Sequence, residues 1–402
     1  MQPATSRFQP GIAFIIVSAF MDVMAMGLVI PVMPSLVESL VGSAANAGFW
    51  TGLLVALWGA MQFAFSPLVG AISDSFGRRP VLLVSAAGLA ADWVLMALAP
   101  NLGWLVVGRM LGGITSSSFT AIYAYMADIT APEDRSKAFG LVGAAWAAGF
   151  VIGPALGGTL AVWGARTPFW VAAALAGVSF LYGCFVLPES LPKDRRMPFA
   201  WSRANPLGAL RLLRSHTELA DLSLVNFLLY FGYHVFSAVY VLYAQHHFGF
   251  SMMQVGLLMA AMGALDLIMQ GWVIGKVVDK LGDRNTLVVG LLAGTIGFVA
   301  IAAAPTPWLF AAALIPNAMW ALAIPTLQSL MSARVSEREQ GQLQGAITSM
   351  GSVAGIASPL FFGWLYGVTS DTVPYAGFLV AGAVFALAAA IAQRSGRSAA
   401  LA

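Results

Sequence analysis

The sequence predicts an all-α membrane protein of twelve transmembrane helices, arranged as two six-helix halves that repeat one another. Three observations lead there: a composition too apolar for water, a count of span-length apolar runs that divides six and six, and a loop that occurs twice at equivalent places.

Hydrophobic residues fill 59% of the 402 positions and charged residues only 9%, with a mean hydropathy of +0.82. A soluble domain carries about 25% charged residues, so most of this chain needs lipid as its solvent. Cys184 is the single cysteine and leaves no intramolecular disulfide to form. A pI near 9.1 would suit a nucleic-acid binder, but the basic residues are placed otherwise. The segment 1–10 is weakly charged and the apolar run from Gly11 outlasts a signal-peptide core. A retained first span is expected.

A helix needs about 20 apolar residues to cross a bilayer. That ruler places spans near 11–37, 48–72, 81–100, 103–127, 138–163 and 167–187, then near 218–246, 252–275, 286–304, 306–331, 341–367 and 373–393. The only long polar stretch lies between the two sets. The expected organisation is an N-terminal six-helix half over 1–187, a cytoplasmic linker over 188–217, and a C-terminal six-helix half over 218–402.

Lysine and arginine gather on the cytoplasmic side of membrane proteins. With the N-terminus inside, Arg7, Arg78, Arg79, Arg135, Lys137, Lys193, Arg195, Arg196, Arg203, Arg211 and Arg214 all fall in cytoplasmic segments. So do Lys276, Lys280, Arg284, Arg334, Arg338, Arg394 and Arg397. Arg166 alone falls in an outer loop and Arg109 lies inside a span. Both termini are therefore expected in the cytoplasm, and the positive charge is a topology signal with no nucleic-acid partner implied.

GAISDSFGRR at Gly70–Arg79 and GKVVDKLGDR at Gly275–Arg284 match without a gap at Gly70/Gly275, Asp74/Asp279, Gly77/Gly282 and Arg79/Arg284. Each follows the second span of its half. The same shift brings Glu133 near Glu337 and Pro154 onto Pro359. Duplication at equivalent topological places favours a repeat over a generic turn, and parallel six-helix halves bind substrate at midplane between them.

These segments resemble the major facilitator superfamily. DSFGRRP at Asp74–Pro80 is similar to its signature loop, GRMLGG at Gly108–Gly113 to the fourth-helix arginine motif of proton-coupled members, and GFVIGPALGG at Gly149–Gly158 to the fifth-helix antiporter motif. MDVMAMGLVIPVMP at Met21–Pro34, FGFSMMQVG at Phe248–Gly256, PTLQSLMS at Pro325–Ser332 and EQGQLQG at Glu339–Gly345 resemble, more narrowly, the tetracycline-efflux group. The resemblance covers nearly the whole chain. It implies the major facilitator fold, drug–proton antiport by alternating access, and a bacterial inner membrane. No tightly bound cofactor is expected: a proton gradient drives transport, and Mg2+ enters only as a chelate of tetracycline. The expected partners are a small-molecule substrate, protons and the bilayer, for a protein working as a monomer.

Of the seventeen acidic residues, only Asp22, Asp92 and Asp266 fall deep inside spans. A charge at the bilayer centre costs at least about 2.5–3.5 kcal/mol, so such residues are rare and usually functional. A carboxyl that alternates between a dry setting and one beside a cation can take up a proton on one side and release it on the other. The other reading is a structural ion pair that fixes helix packing. Asp22, beside Gly27, Pro31 and Pro34, is the leading coupling candidate. Asp92 follows, supported by a family match over Ala91–Met96, and then Asp266.

Arg109 is the one cation inside a span, about two turns from the outer end. Its permanent charge needs a carboxylate or a wet cavity, and its counterpart near Ala313 is uncharged, which favours function over architecture. Gly149, Gly153 and Gly157 recur at four-residue spacing around Pro154, with Gly158 following. Small residues on one face let helices approach closely, and a proline can kink the span. The resemblance adds that this segment seals the outward side in exporters.

Asp74 with Arg78 and Arg79 sits where a carboxylate can cap a neighbouring helix N-terminus. The resemblance implies a cytoplasmic gate, with Asp279 its second copy and Asp283 standing where the first copy has Arg78. For substrate, Gln62, Gln270 and Gln328 are amides within spans. Tyr230, Tyr233, His234, Ser237 and Tyr240 recur at helical spacing on the seventh span, as a ligand face or as a packing face. His246 and His247 fall at the outer boundary.

The sequence departs from the tetracycline exporters at one place. Those carry a histidine on the eighth helix and an aspartate on the ninth; here Asp266 stands at the first position and Gly294 at the second. Asp266 therefore serves coupling or contacts substrate. Restoring the family pair by Asp266→His with Gly294→Asp is expected to improve tetracycline export.

A proton symporter importing a metabolite, or an exporter of a non-drug metabolite, would share this fold; the antiporter motif argues against the symporter. A membrane enzyme would need a clustered nucleophile and base or metal ligands, which four scattered histidines and one cysteine do not provide. A receptor would leave three buried acids and a duplicated gate unexplained.

Overall fold

A computed structural model describes residues 10–117, 119–131, 134–199, 219–336 and 339–399. Arg7, Glu133, Arg203, Arg211, Arg214, Glu337, Arg338 and most of the expected linker lie outside the described residues. Among the described residues there is no strand. Eleven helical stretches among the described residues are long and apolar enough to cross a membrane, and one of them, Met252–Ala303, is two spans joined across Gly282. That gives the expected twelve. The chain is a multi-pass membrane protein.

The chain folds into two compact units, one of residues 1–30 and 61–205, the other of 31–60 and 206–402. Segment 31–60 thus belongs with the second unit, whereas the division read from the sequence assigns it to the first half.

The first unit contains α1 (Pro10–Val29), the end of α3 (Ala44–Phe76), α4 (Arg78–Leu98), α5 (Leu102–Ser116), α6 (Phe119–Ile129), α7 (Arg135–Leu160) and α8 (Thr167–Val186). The sequence suggests a first span over 11–37, but α1 stops at Val29 and α2 (Met33–Val41) follows a short turn. Pro31 cannot donate to the helix ladder and clashes with the carbonyl four residues back, which ends α1. Pro34 sits in the first turn of α2, where a missing N–H is tolerated. Within this unit α1 lies against α7 and α8, and α4 against α5 and α8. Phe14, Ile15, Ala19, Ile122, Tyr125, Met126 and Val142 form a buried core around the N-terminal half of α1.

The second unit contains α2, the start of α3, and α9 (Ala220–Tyr233), α10 (Val241–Phe248), α11 (Met252–Ile268) and α12 (Ile274–Ala303). It also contains α13 (Pro307–Ala312), α14 (Leu314–Ala318), α15 (Ala323–Ser332), α16 (Gln340–Thr369) and α17 (Ala376–Ala399). Three spans here are irregular. A π turn, Phe236–Tyr240, joins α9 to α10; a second, Met269–Val273, joins α11 to α12; a 3-10 turn, Met319–Leu322, joins α14 to α15. The core is aromatic, with Phe236, Tyr240, Phe298, Phe310, Phe378 and Phe385 all buried. The outside of both units is apolar in turn: Phe185 is 87% and Trp308 84% exposed. Such surfaces call for lipid.

Candidate functional site

Asp22 lies on α1, and its Oδ1 is buried without a hydrogen-bond partner. The α1 face that meets α7 carries Phe20, Val23, Met24, Gly27 and Leu28. At about 100° per residue, Asp22 lies roughly 200° around the helix from Phe20. Its side chain therefore leaves α1 on the side away from α7.

Asp92 is 1% exposed on α4, and both of its carboxylate oxygens are buried without a hydrogen bond. It is housed by α5. A Cβ on Gly112 would fall 2.3 Å from Oδ2, and one on Gly108 2.9 Å from Oδ1. Two glycines one turn apart thus cut a notch that only a glycine pair leaves open. Arg109, between them in sequence, attracts the carboxylate electrostatically. Asp92 and Arg109 are visible in the sequence; the purpose of the flanking glycines in GRMLGG emerges only from the packing.

Asp266 lies in the last turn of α11, three residues before a π turn, and the Trp320 side chain hydrogen-bonds to it. The Tyr233 and Trp320 rings stack at 4.2 Å between centroids. Tyr230 and His234 lie over Gly351 and Gly355 of α16. Tyr240 does not share that face: it is fully buried and stacks on Phe310 at 5.4 Å. The π turn adds a residue to the helical repeat, so the spacing that links Tyr230, Tyr233 and Tyr240 in sequence breaks before Tyr240. Gln270 is exposed one turn beyond Asp266. Gln328 donates to Gln344 Oε1 at 3.4 Å, and Gln62 donates to the Ser116 carbonyl at 3.5 Å, both within single units. The amides of Gln62 and Gln328 are thus already engaged by protein acceptors.

Gly294 has no room for the side chain that the restored pair requires. A Cβ there would fall 2.7 Å from Phe385 Cδ1 and 3.2 Å from Trp320 Cβ. Overpacking of this kind costs about 1–3 kcal/mol. Asp266→His with Gly294→Asp therefore cannot rebuild the exporters' pair without displacing Phe385, and no gain in tetracycline export is expected from it. Gly294→Asp is expected instead to lower the thermal unfolding midpoint of the purified protein, and Phe385→Ala in the same chain to restore part of it.

The loop after α3 forms an ionic cluster. Arg78, with a side chain 10% exposed, reaches Asp74 at 2.5 Å and Asp128 at 3.2 Å. Removing one partner from a buried pair costs about 3–5 kcal/mol, while an exposed pair contributes about 0–1. The exposed Lys137–Asp134 pair therefore matters far less. The helix cap that the sequence assigns to Asp74 is made by another residue. Glu189 makes it: its carboxylate accepts from the backbone N–H groups of Arg78 and Arg79 at 2.9 and 3.3 Å. Asp74 is turned to its own i+4 arginine, which leaves the cap to a residue arriving from the end of α8. Glu189 and Asp128 carry no signal of their own in the sequence beyond lying at span ends.

Arg79 donates to the Cys184 carbonyl near the end of α8, and its repeat partner Arg284 donates to the Ala392 and Gln393 carbonyls of α17. Cys184 lies in the last turn of α8, where carbonyls lack intrahelical donors and a cation is favoured; Ala392 and Gln393 lie within α17. Gly77 and Gly282 both have positive φ, at 109° and 74°, a conformation that favours glycine. Where Arg78 bonds Asp128, its counterpart Asp283 accepts from Ser329 Oγ at 2.5 Å. Asp279 is not joined to that hydroxyl. Arg166 caps the end of α4 by donating to the Ala97 and Ala99 carbonyls.

The glycine segment of α7 packs backbone to backbone on α1. A Cβ on Gly149, Gly153 or Gly157 would fall 2.9, 2.7 and 2.0 Å from Met24 N, Gly27 Cα and Leu28 O respectively. Pro154 sits inside α7 with its Cδ toward Gly27, and Gly158 is buried beside it. In the second unit Pro359 of α16 has a similar setting: its carbonyl is 2.0 Å from where a Cβ on Gly52 would stand.

Twelve spans, repeated loops anchored alike, and carboxyl groups held inside the apolar layer define a membrane transporter. The family model of the Major Facilitator Superfamily matches residues 15–359 and 222–395, and the chain belongs to that superfamily. It is 36% identical to the class C tetracycline resistance protein of Escherichia coli, over 91% of this chain and 92% of that one. It is 39% identical to the class G protein of Vibrio anguillarum, over 89% and 90%. Multidrug resistance protein 2 of Bacillus subtilis is 30% identical over 91% and 90%. Among solved structures, a bacterial homologue of the human lysosomal transporter Spinster shares the fold with a TM-score of 0.78 at 15% identity, covering 96% of both chains. The human organic anion transporter MFSD10 shares it at 0.69 and 24%, covering 98% and 100%.

Proposed function

We propose that this protein is a proton-coupled antiporter that exports small amphipathic compounds by alternating access. In this reading it sits in a bacterial inner membrane, with both termini cytoplasmic, and works as a monomer. The observation that carries the proposal is Asp22, a carboxyl oxygen buried in a span with no protein partner. A buried polar atom left unsatisfied is costly, and an exchangeable proton is the ligand that repays it in a transporter. Relatives called tetracycline resistance proteins, 36% and 39% identical over nearly the full length, support drug export. Asp92 beside Arg109, and Asp266, are the further coupling groups. The ionic cluster of Asp74, Arg78 and Arg79 is the cytoplasmic gate, with Asp279 and Arg284 marking its second copy. The α1–α7 glycine seam holds the outward side in the exporting direction.

The test is flux in proteoliposomes carrying an imposed pH gradient, with protein-free vesicles setting the passive background. Tetracycline with and without Mg2+, ethidium and unrelated antibiotics are the cargoes. An antiporter concentrates cargo on the acid side, because protons leave that side as cargo enters it. A symporter concentrates cargo on the alkaline side. Accumulation on the acid side is expected, and accumulation on the alkaline side, or none above background for every cargo, sinks the proposal.

A further inference from the structure

Two breaks in helical regularity meet beside one carboxyl group of the second unit, and a third follows Tyr233 along the chain. Tyr233 ends α9, three residues ahead of the π turn Phe236–Tyr240; Asp266 lies three residues ahead of the π turn Met269–Val273; Trp320 is inside the 3-10 turn Met319–Leu322. The second π turn and the 3-10 turn touch. In lipid every backbone group must find a partner within the protein, which favours regular helices. π turns persist mostly at functional positions. Two departures in contact, beside an acid, point to a site rather than to packing.

The parts divide by access. Trp320 is 5% exposed; its ring stacks on Tyr233, and its side chain holds the carboxylate by a hydrogen bond. Asp266 and Tyr233 are only partly buried, so a ligand can reach them. Among the described residues no lysine, arginine or histidine forms an ion pair with Asp266. Gln270 adds an amide one turn along the same helix face. A fixed carboxylate beside an aromatic face attracts a cation with apolar flanks, through charge and through the ring quadrupole. A divalent metal wants several oxygen ligands, and one carboxylate does not supply them.

We propose that Asp266, Tyr233 and Trp320 form a site for a lipophilic organic monocation, so that the cargo of this transporter carries a permanent or protonated ammonium-like group. The proposal rests on the reading of the protein as an exporter, and it names the class of compound exported.

The test is equilibrium binding to the purified full-length protein without any pH gradient. The probes are tetraphenylphosphonium and, as its neutral counterpart, triphenylphosphine oxide. The intact chain is expected to bind the cation at least tenfold more tightly than the neutral probe. Asp266→Asn should collapse that ratio to within about twofold, Trp320→Phe should lower it several-fold by removing the ring N–H, and Asp266→Glu should retain most of it. An intact chain without preference, or an Asp266→Asn variant that keeps its preference, overturns the proposal. Should Asp266→Asn fail to fold, Tyr233→Leu is read in its place: a lost preference supports the site and a retained one overturns it. The two readings fail separately. Selective cation binding with no gradient-driven flux keeps the site and sinks coupled export, and gradient-driven flux of neutral cargo without cation binding does the reverse.

Discussion

Asp22→Asn is expected to abolish uphill export while the protein still inserts, folds and binds cargo. The amide keeps the size and shape of the carboxyl but has no proton to exchange. Its site on α1 is buried, its Oδ1 meets no protein donor, and it points away from the glycine seam that fastens α1 to α7. Among the described residues Asp22 forms no ion pair, and asparagine keeps its shape, so folding is expected to survive the substitution. Cargo accumulation and proton flux, measured together in proteoliposomes, should both fall at least tenfold, with downhill cargo exchange persisting. Accumulation at the unsubstituted rate would make Asp22 structural and move coupling to Asp92 or Asp266.

Gly112→Ala is expected to have a large effect for a single added methyl group, because it strikes the Asp92 carboxylate directly. Its Cβ would lie 2.3 Å from Asp92 Oδ2, well inside contact distance, whereas the Gly108 Cβ would meet Oδ1 at 2.9 Å and the flexible Met96 side chain at 2.7 Å. Overpacking costs about 1–3 kcal/mol, and here it also pushes the carboxylate out of its place beside Arg109. Gly112→Ala should therefore lower the unfolding midpoint by several degrees and cut transport by tenfold or more, with Gly108→Ala milder in both. The cause is checked by a double-mutant cycle: in an Asp92→Ala background, Gly112→Ala should cost much less. Additive losses would mean that the notch serves the backbones of α4 and α5 and not the acid.

Span number, span order and the duplicated loop can all be read from the sequence, because each rests on local composition or spacing. Asp22, Asp92, Arg109 and Asp266 stand out for a similar reason: a charge inside an apolar run is visible without knowing its neighbours. What the sequence hides is set by packing between distant segments. The cap on α4 comes from Glu189, 111 residues from Arg78, and nothing local marks it. Tyr240 keeps helical spacing with Tyr233 in sequence and loses it to a π turn, which has no composition of its own. Gly294 reads as a missing aspartate until Phe385 is seen to fill its space. Likewise Pro31 is visible, but its power to end α1 competes with an apolar run that continues past it.

The paired loops hold a record of their own divergence. In the first, a cation donates to a carboxylate, Arg78 to Asp128; in the second, a hydroxyl donates to an anion, Ser329 to Asp283. Donor and acceptor have exchanged ends of the bond while the backbone glycine and the carbonyl-bound arginine beside it stayed as they were. The two copies are thus no longer interchangeable parts: Asp283→Arg would set a guanidinium against a hydroxyl where the first loop offers Asp128, leaving only Asp279, four residues back, to receive it.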